Sequence, residues 1–176
     1  MEGLPKGKVF LVPDDGSWAD SYRREAELLG RLLGPDVRGI EHIGSTAVPG
    51  IRAKPLVDLL VGVEDLEAVD GFDYKALAAH GYYRLHNKPI DGKRVLAKFS
   101  RLNPPVKTHV VHVVEQGGRW WREHIRFRDR LRGDPALAGE YEELKQSLAA
   151  RHPGDEAAYA DAKLPFVRRV LAGEEL

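Results

Sequence analysis

The side chain that asks most for a chemical explanation is Asp58, set in the otherwise apolar run Leu56-Val57-Asp58-Leu59-Leu60-Val61. Burying an ionised carboxylate without a partner costs roughly several kcal/mol even after relaxation. Asp58 therefore needs an Arg or Lys, as in a structural ion pair, or a metal ion. Upstream, Gly44-Ser45 leaves a predicted strand, and a Gly-Ser turn there suits phosphate. Glycine lets a ligand approach the backbone, and exposed N–H groups favour anions. Such dipeptides are also ordinary tight turns. A phosphate cradle followed by a strand Asp is the pattern of a nucleotide site. Lys54 lies between the two and is near them by chain reach alone.

The run 107–115 offers two histidines. His112 shares a strand face with Thr108, while His109 shares the other with Glu115. Three apart, they cannot clamp one ion. Imidazole is a poor ligand for Mg²⁺ but a good one for zinc, nickel or manganese, and it serves as a general base near neutral pH. Further cations for phosphates are Arg94, Lys98, Arg128 and Lys163. Arg94 and Lys98 are an even number apart, hence on one strand face, and Lys163 falls in the helical stripe of Tyr159 and Phe166. A solvated surface is the commoner fate of each.

The elements that position these residues follow from periodicity. Residues 37–43 and 56–63 read as strands, as do 82–86, 94–101 around a Lys88–Gly92 turn, and 107–115. Residues 8–12 read as a short strand or extended arm. Ser17-Trp18-Ala19-Asp20 reads as a capping box opening a helix that Gly34-Pro35 stops. Asp65 to Ala79 reads as helix interrupted near Gly71. Beyond Gly117-Gly118, Trp120, His124, Phe127 and Leu131 mark one helical face, and Leu137, Tyr141, Leu144 and Leu148 a second. Asp134-Pro135 and Asp155 mark helix starts, and Pro165 is expected to kink the last helix.

Composition bounds the rest. Lys+Arg and Asp+Glu are 27 each, so no overall field draws the chain to nucleic acid or membrane. The row Arg122, Arg126, Arg130 is a possible basic stripe, but Glu123 and Asp129 beside it favour a solvated face. Cysteine is absent, which excludes disulfides and thiolate chemistry. No stretch approaches the ~20 apolar residues of a membrane span, and no signal core opens the chain. A cytoplasmic protein with one domain over residues 1–176 is the expectation.

The residues His42-Ile43-Gly44-Ser45-Thr46-Ala47-Val48-Pro49-Gly50, Ala53-Lys54-Pro55 and Val57-Asp58 resemble the signature of the GrpB family. The likeness continues in Thr108–Glu115, Phe127–Arg132 and Glu156–Tyr159 with Ala162-Lys163, spanning nearly the whole chain. That family is assigned to the polymerase-beta-like nucleotidyltransferase superfamily, and some members are fused to dephospho-CoA kinases. The resemblance implies an α/β (α+β) fold, a nucleotidyltransferase-like mixed sheet flanked by helices with a helical C-terminal layer. It also implies a nucleotide or related phosphate ester as ligand and Mg²⁺ on Asp58. The superfamily usually carries a second acidic residue two positions on, where this chain has Leu60, and a third on a later strand, where it has His112. The expected site is Asp58 and His112 for catalysis, with Gly44, Ser45, Lys54, Arg94 and Lys163 on phosphate. Two alternatives stand beside transfer: a catalytically inactive nucleotide-binding module, and a zinc or manganese hydrolase built on His42, Asp58 and His112.

Overall fold

The computed structural model describes residues 3–173, and at 87–89 the backbone alone. Its strands are β1 (Leu4–Pro5), β2 (Val37–Ile43), β3 (Val57–Val63), β4 (Tyr82–Ile90), β5 (Lys93–Leu102) and β6 (Pro105–Glu115). They form one sheet of order β2-β3-β6-β5-β4, with β1 on β6. β3 and β6 run parallel, and the other pairings are antiparallel. Mixed α/β is therefore the fold class. β3 has neighbours on both edges and cover on both faces, which is why Val57, Leu59, Leu60, Val61 and Val63 are all fully buried.

Register divides the side chains between two faces. Ile43, Asp58 and Val110 line up on one, followed by Glu41, Leu60, His112 and Val95. His42, Leu59, Val111 and Leu96 take the other. That second face carries the main core, covered by α1 (Ser17–Leu33) and by α2 (Tyr74–Ala79) with the 3-10 turn before it. α1 buries Trp18, Ser21, Glu25, Leu29 and Leu33, one stripe at helical spacing.

The first face is covered by the C-terminal helices. Trp120, Trp121 and Ile125 of α3 (Arg119–Gly133) pack on Ile43, Leu60 and Val114. Leu131 of α3 meets Tyr141 of α4 (Pro135–Arg151) and Phe166 and Val170 of α5 (Glu156–Ala172), together with Val48 and Ile51 of the β2–β3 loop. Asp134 and Asp155 accept from the Leu137 and Ala158 amides, 3.1 and 3.0 Å away, and so start α4 and α5. α5 runs on through Pro165. A proline inside a helix costs ~3 kcal/mol, which the burial of Phe166 and Val170 on one face of the helix offsets.

One local alternative is decided and two expectations are corrected. Of the strand and the extended arm expected at 8–12, the structure has the arm: a lone bridge, Val12 to Ala53, holds it, with Val9 buried against Leu148 and Tyr159. Gly16 is the N-cap of α1, and no side chain caps it, because Ser17 is already helical. Asp14 and Asp15 instead accept from the Gly16 and Ser17 amides, at 2.8 and 3.0 Å. The β4–β5 turn is shorter than Lys88–Gly92, since β4 continues to Ile90 and leaves Asp91 and Gly92 at the tip. Among the described residues, no helix is long and apolar enough to cross a membrane.

Leu131, 2% exposed, joins all three C-terminal helices to the β2–β3 loop. Leu131→Ala is expected to cost about 2–5 kcal/mol in urea unfolding, as a core truncation. Leu164, 42% exposed on α5, is the control and is expected to lose less than about 0.5 kcal/mol on the same change.

Candidate functional site

Asp58 is the second residue of β3, and its pleat points it at the face under the C-terminal helices. Its neighbour on β2 is Ile43, so the chain leaving β2 passes directly beside it at Gly44. A Cβ on Gly44 would lie 2.7 Å from Asp58 Oδ2, and φ is +74° there. Both facts require glycine. On the other side, His112 Nε2 donates to Asp58 Oδ1 at 3.0 Å. That bond places the proton on Nε2 and leaves Nδ1 with a lone pair. Nδ1 is the one buried side-chain polar atom without a hydrogen-bond partner among the described residues.

Asp58 is 27% exposed, toward a cleft of about 980 Å³. Lys54, Lys93, Arg94, Lys107 and Glu156 also line this cleft. Burial works against the ionised carboxyl, but the His112 bond and the charges of Lys54 and Lys163 outweigh it. They hold the acid below the usual carboxylate range.

Three lysines gather at the α4–α5 end of this face. Lys163 and Lys54 lie over the ring of Tyr159, 4.7 and 5.2 Å from its centroid. Lys145 is 1% exposed, lies 4.9 Å from the Tyr141 ring centroid and donates to the Arg52 carbonyl at 2.6 Å. Burial, then repulsion from Lys163 and Lys54 against the pull of Glu142, brings the Lys145 ammonium down to about 7. Burial and Lys163 lower Lys54 as well. Burial lowers Lys163, with Asp58 pulling the other way. Ser45 sits against the buried Tyr141 phenol at the edge of this group.

A second buried ammonium, Lys93, begins β5 and is 6% exposed. It donates to Nε2 of His124 on α3 at 2.8 Å and lies 4.1 Å from the Trp120 ring centroid. Burial brings it down to about 8 against the attraction of Asp58 and Glu123. Burial and the charge of Lys93 push His124 down to about 3, so it stays a neutral acceptor. The His124 ring is 5.5 Å from that of His112.

The structure thus brings together Gly44, Asp58, His112, Lys54 and Lys163. Arg94 lines the cleft with its guanidinium turned to the Lys93 carbonyl at 3.1 Å. Lys98 pairs with Glu25 under α1, on the opposite face. Arg128 is spent on structure: it donates to Glu41 at 2.7 Å and to the His42 carbonyl at 3.1 Å. The expected even spacing of Arg94 and Lys98 therefore does not make a phosphate pair.

His42 does not join Asp58 and His112. It faces α1, stacked on Tyr22 at 4.7 Å and bonded to Thr46 Oγ1 at 2.9 Å. His109 also faces α1, between Thr108 and Ser21 hydroxyls at 2.8 Å each. The three-ligand hydrolase site is thus not assembled, since strand alternation separates its ligands. Among the described residues no three His, Asp or Glu side chains group to hold a metal. Mg²⁺ fits poorly too. Asp58 already accepts an N–H, Leu60 fills the second acidic position, Glu156 and Asp91 on the cleft wall form no ligand group with it, and the charges of Lys54 and Lys163 act on Asp58.

Lys145 and Lys93 were not foreseen. Lys145 stands where α4 turns inward, in the series Ala138, Tyr141, Lys145, Leu148. Lys93 alternates with Val95 onto the site face, a signal that a shorter strand starting at Arg94 conceals.

The family model described as GrpB protein matches residues 8–173. The glutamate-rich protein GrpB of Alkalihalophilus pseudofirmus is 46% identical over 97% of this chain and 98% of its own length. The crystal structure of the conserved protein GrpB from Enterococcus faecalis superposes with a TM-score of 0.80 at 32% identity. It covers 92% of this chain and 94% of that one. Crystal structures of the Cid1 poly(U) polymerase superpose at a TM-score of 0.49 and 14% identity, over 86% of this chain and 49% of that one. That likeness is too slight to carry an argument.

Burial pushes His42 and His109 to about 4, and His124 to about 3, against an ordinary value of 6.5. The native state keeps all three neutral while the unfolded chain protonates them. Their contribution to stability is thus complete above pH 6.5 and is lost as pH falls toward 4, by up to about 1.4 kcal/mol per pH unit for each. Urea unfolding at pH 7.5, 6 and 5 checks this. A free energy that stays flat to pH 5 would mean that the histidines are not held neutral.

Proposed function

Since the chain belongs to the GrpB family, we propose that its cleft binds a nucleotide or related phosphate ester. The observation that carries this reading is the set Lys54, Lys145 and Lys163, half-buried to buried, beside the Gly44 turn and Asp58. Lysines are seldom buried without a carboxylate partner. Among the described residues the one close lysine ion pair is Lys98 with Glu25, on the other face. Ammonium groups gathered without a close ion pair suit a ligand that brings several negative charges, and a polyphosphate does. The rest of the cleft has room for the body of a nucleotide.

Nucleotidyl transfer is the reaction this arrangement favours, on one specific observation: the unpartnered Nδ1 of His112. Asp58 fixes the imidazole with its proton on Nε2, so Nδ1 is a base held in place. In this reading ligand entry uncovers the buried Nδ1, which takes the proton of an acceptor hydroxyl as its oxygen bonds to the α-phosphorus. The bond from that phosphorus to the leaving pyrophosphate breaks, and the lysines hold the charge that develops. A binding module on the same fold would share the lysines and lack this step.

A thermal-shift series over nucleotides, coenzymes and inorganic polyphosphates tests binding. A ligand at one hundred times its Kd adds about 2.7 kcal/mol, on the order of 5–10 °C in Tm for a chain of this size. Lys163→Gln with Lys145→Gln is expected to abolish the shift while leaving the unliganded far-UV spectrum unchanged. Equal shifts in the double variant and the wild type would overturn the reading. For transfer, pyrophosphate release is the readout, and His112→Gln is expected to lower it at least about a hundredfold while binding persists.

A further inference from the structure

We infer that this cleft takes its phosphates on amines without a divalent metal, and that Asp58 is the internal counterion of those amines. The inference rests on the phosphate-binding reading above and fixes how that site recognises its ligand. It begins with the donors around Asp58. Oδ1 already accepts from His112, and the group facing it there is an N–H, which repels a cation. Oδ2 lies against the Gly44 backbone, close enough that no β-carbon fits between. The position two residues on is Leu60, fully buried beneath α3, so it can neither bind a metal nor admit water to one. Glu41, the nearest acid on β2, is held by Arg128 at 2.7 Å.

The charges around the cleft point the same way. Lys54 and Lys163 share one tyrosine face, Lys145 stands behind them on Tyr141, and Lys93 stands on Trp120. Lys54, Lys93 and Lys163 are each drawn electrostatically to Asp58. Lys54, Arg84, Lys93, Arg94 and Lys107 line the cleft against Asp58, Asp91 and Glu156, which leaves net positive charge before any ligand arrives. A divalent cation would enter against that field. A polyphosphate would enter with it, and would compete with Asp58 for the same ammonium donors.

The two roles for Asp58 predict opposite signs. A metal ligand loses ligand affinity when neutralised, whereas a counterion that competes with phosphate raises affinity when neutralised. Calorimetric titration of the full chain with ATP and with inorganic tripolyphosphate, each in EDTA and in Mg²⁺, reads the sign directly. Binding is expected in EDTA and is expected to weaken severalfold in Mg²⁺, which ties up the phosphate oxygens. Asp58→Asn is expected to tighten binding in EDTA by about tenfold. Lys163→Gln is expected to weaken it by at least about tenfold. ATP well above tripolyphosphate in affinity identifies a nucleotide ligand, and equal affinities identify the polyphosphate itself, both on amines. Binding seen only with Mg²⁺, or weakened by Asp58→Asn, overturns the inference and leaves the phosphate site standing. No binding of either ligand under any condition overturns both. Should Asp58→Asn not fold, the wild-type comparison of EDTA with Mg²⁺ still decides.

Discussion

One hydrogen bond, from His112 Nε2 to Asp58 Oδ1, sits where every layer of the protein meets. It joins β3 to its parallel neighbour β6 on the face roofed by the C-terminal helices. Without it, Asp58 would be a carboxylate in a strand whose other residues are fully buried, at a cost of roughly several kcal/mol. With it, the acid stays ionised and acts on three of the four buried or half-buried ammonium groups, Lys54, Lys93 and Lys163. The bond also fixes which histidine nitrogen is left as an acceptor. Fold, charge and candidate chemistry thus pass through a single contact.

The two faces of the sheet treat polar groups differently. Beneath α1, every buried polar group is closed by another: Glu25 takes both Lys98 and the Tyr82 hydroxyl, and His109 sits between two hydroxyls. His42 is closed in the same way by Thr46, under the ring of Tyr22. Those networks are complete and give structure. Beneath α3, α4 and α5 the polar groups are incomplete. His112 Nδ1 has no partner, and the lysines rest on aromatic faces and backbone carbonyls. A buried polar set left open on one side of a sheet, while the other side is closed, is the place that the proposed ligand would complete.

Much of the fold was legible because it depends on short-range pattern. β2 falls on residues 37–43 as periodicity predicts, and the Asp134 and Asp155 caps are local chemistry. The opposite facing of His109 and His112 follows from the strand period alone. The meeting of Gly44 with Asp58 was legible from the turn between two adjacent strands. What escaped was tertiary. Lys145 sits at an inward position of α4, yet a lysine in a helical stripe reads as a solvated edge unless the aromatic ring beneath it is known. The same holds for His124, which counted as packing on the face of Trp120 and Phe127 and is also the acceptor for Lys93. Arg94 and Lys98 misled for the converse reason: Lys98 turns under α1 to Glu25, while Arg94 reaches the cleft at the end of β5.

Lys93 shows how the protein keeps an ammonium dry without a carboxylate. Placing an acid beside it would form a closed ion pair, and a closed pair offers nothing to a ligand. Here the partners are the indole face of Trp120, whose quadrupole attracts a cation, and a neutral imidazole that accepts one hydrogen bond. Neither carries a formal charge, so the positive charge of Lys93 is directed into the cleft rather than cancelled. Lys54 and Lys163 on Tyr159, and Lys145 on Tyr141, use the same device. Aromatic rings thus stand where acids would neutralise the site. The cost is visible in the lysines themselves, which hold their protons less firmly than exposed ones. An anion in the cleft would reverse that loosening, so binding and protonation of these amines are linked by the same charges that hold Asp58 ionised.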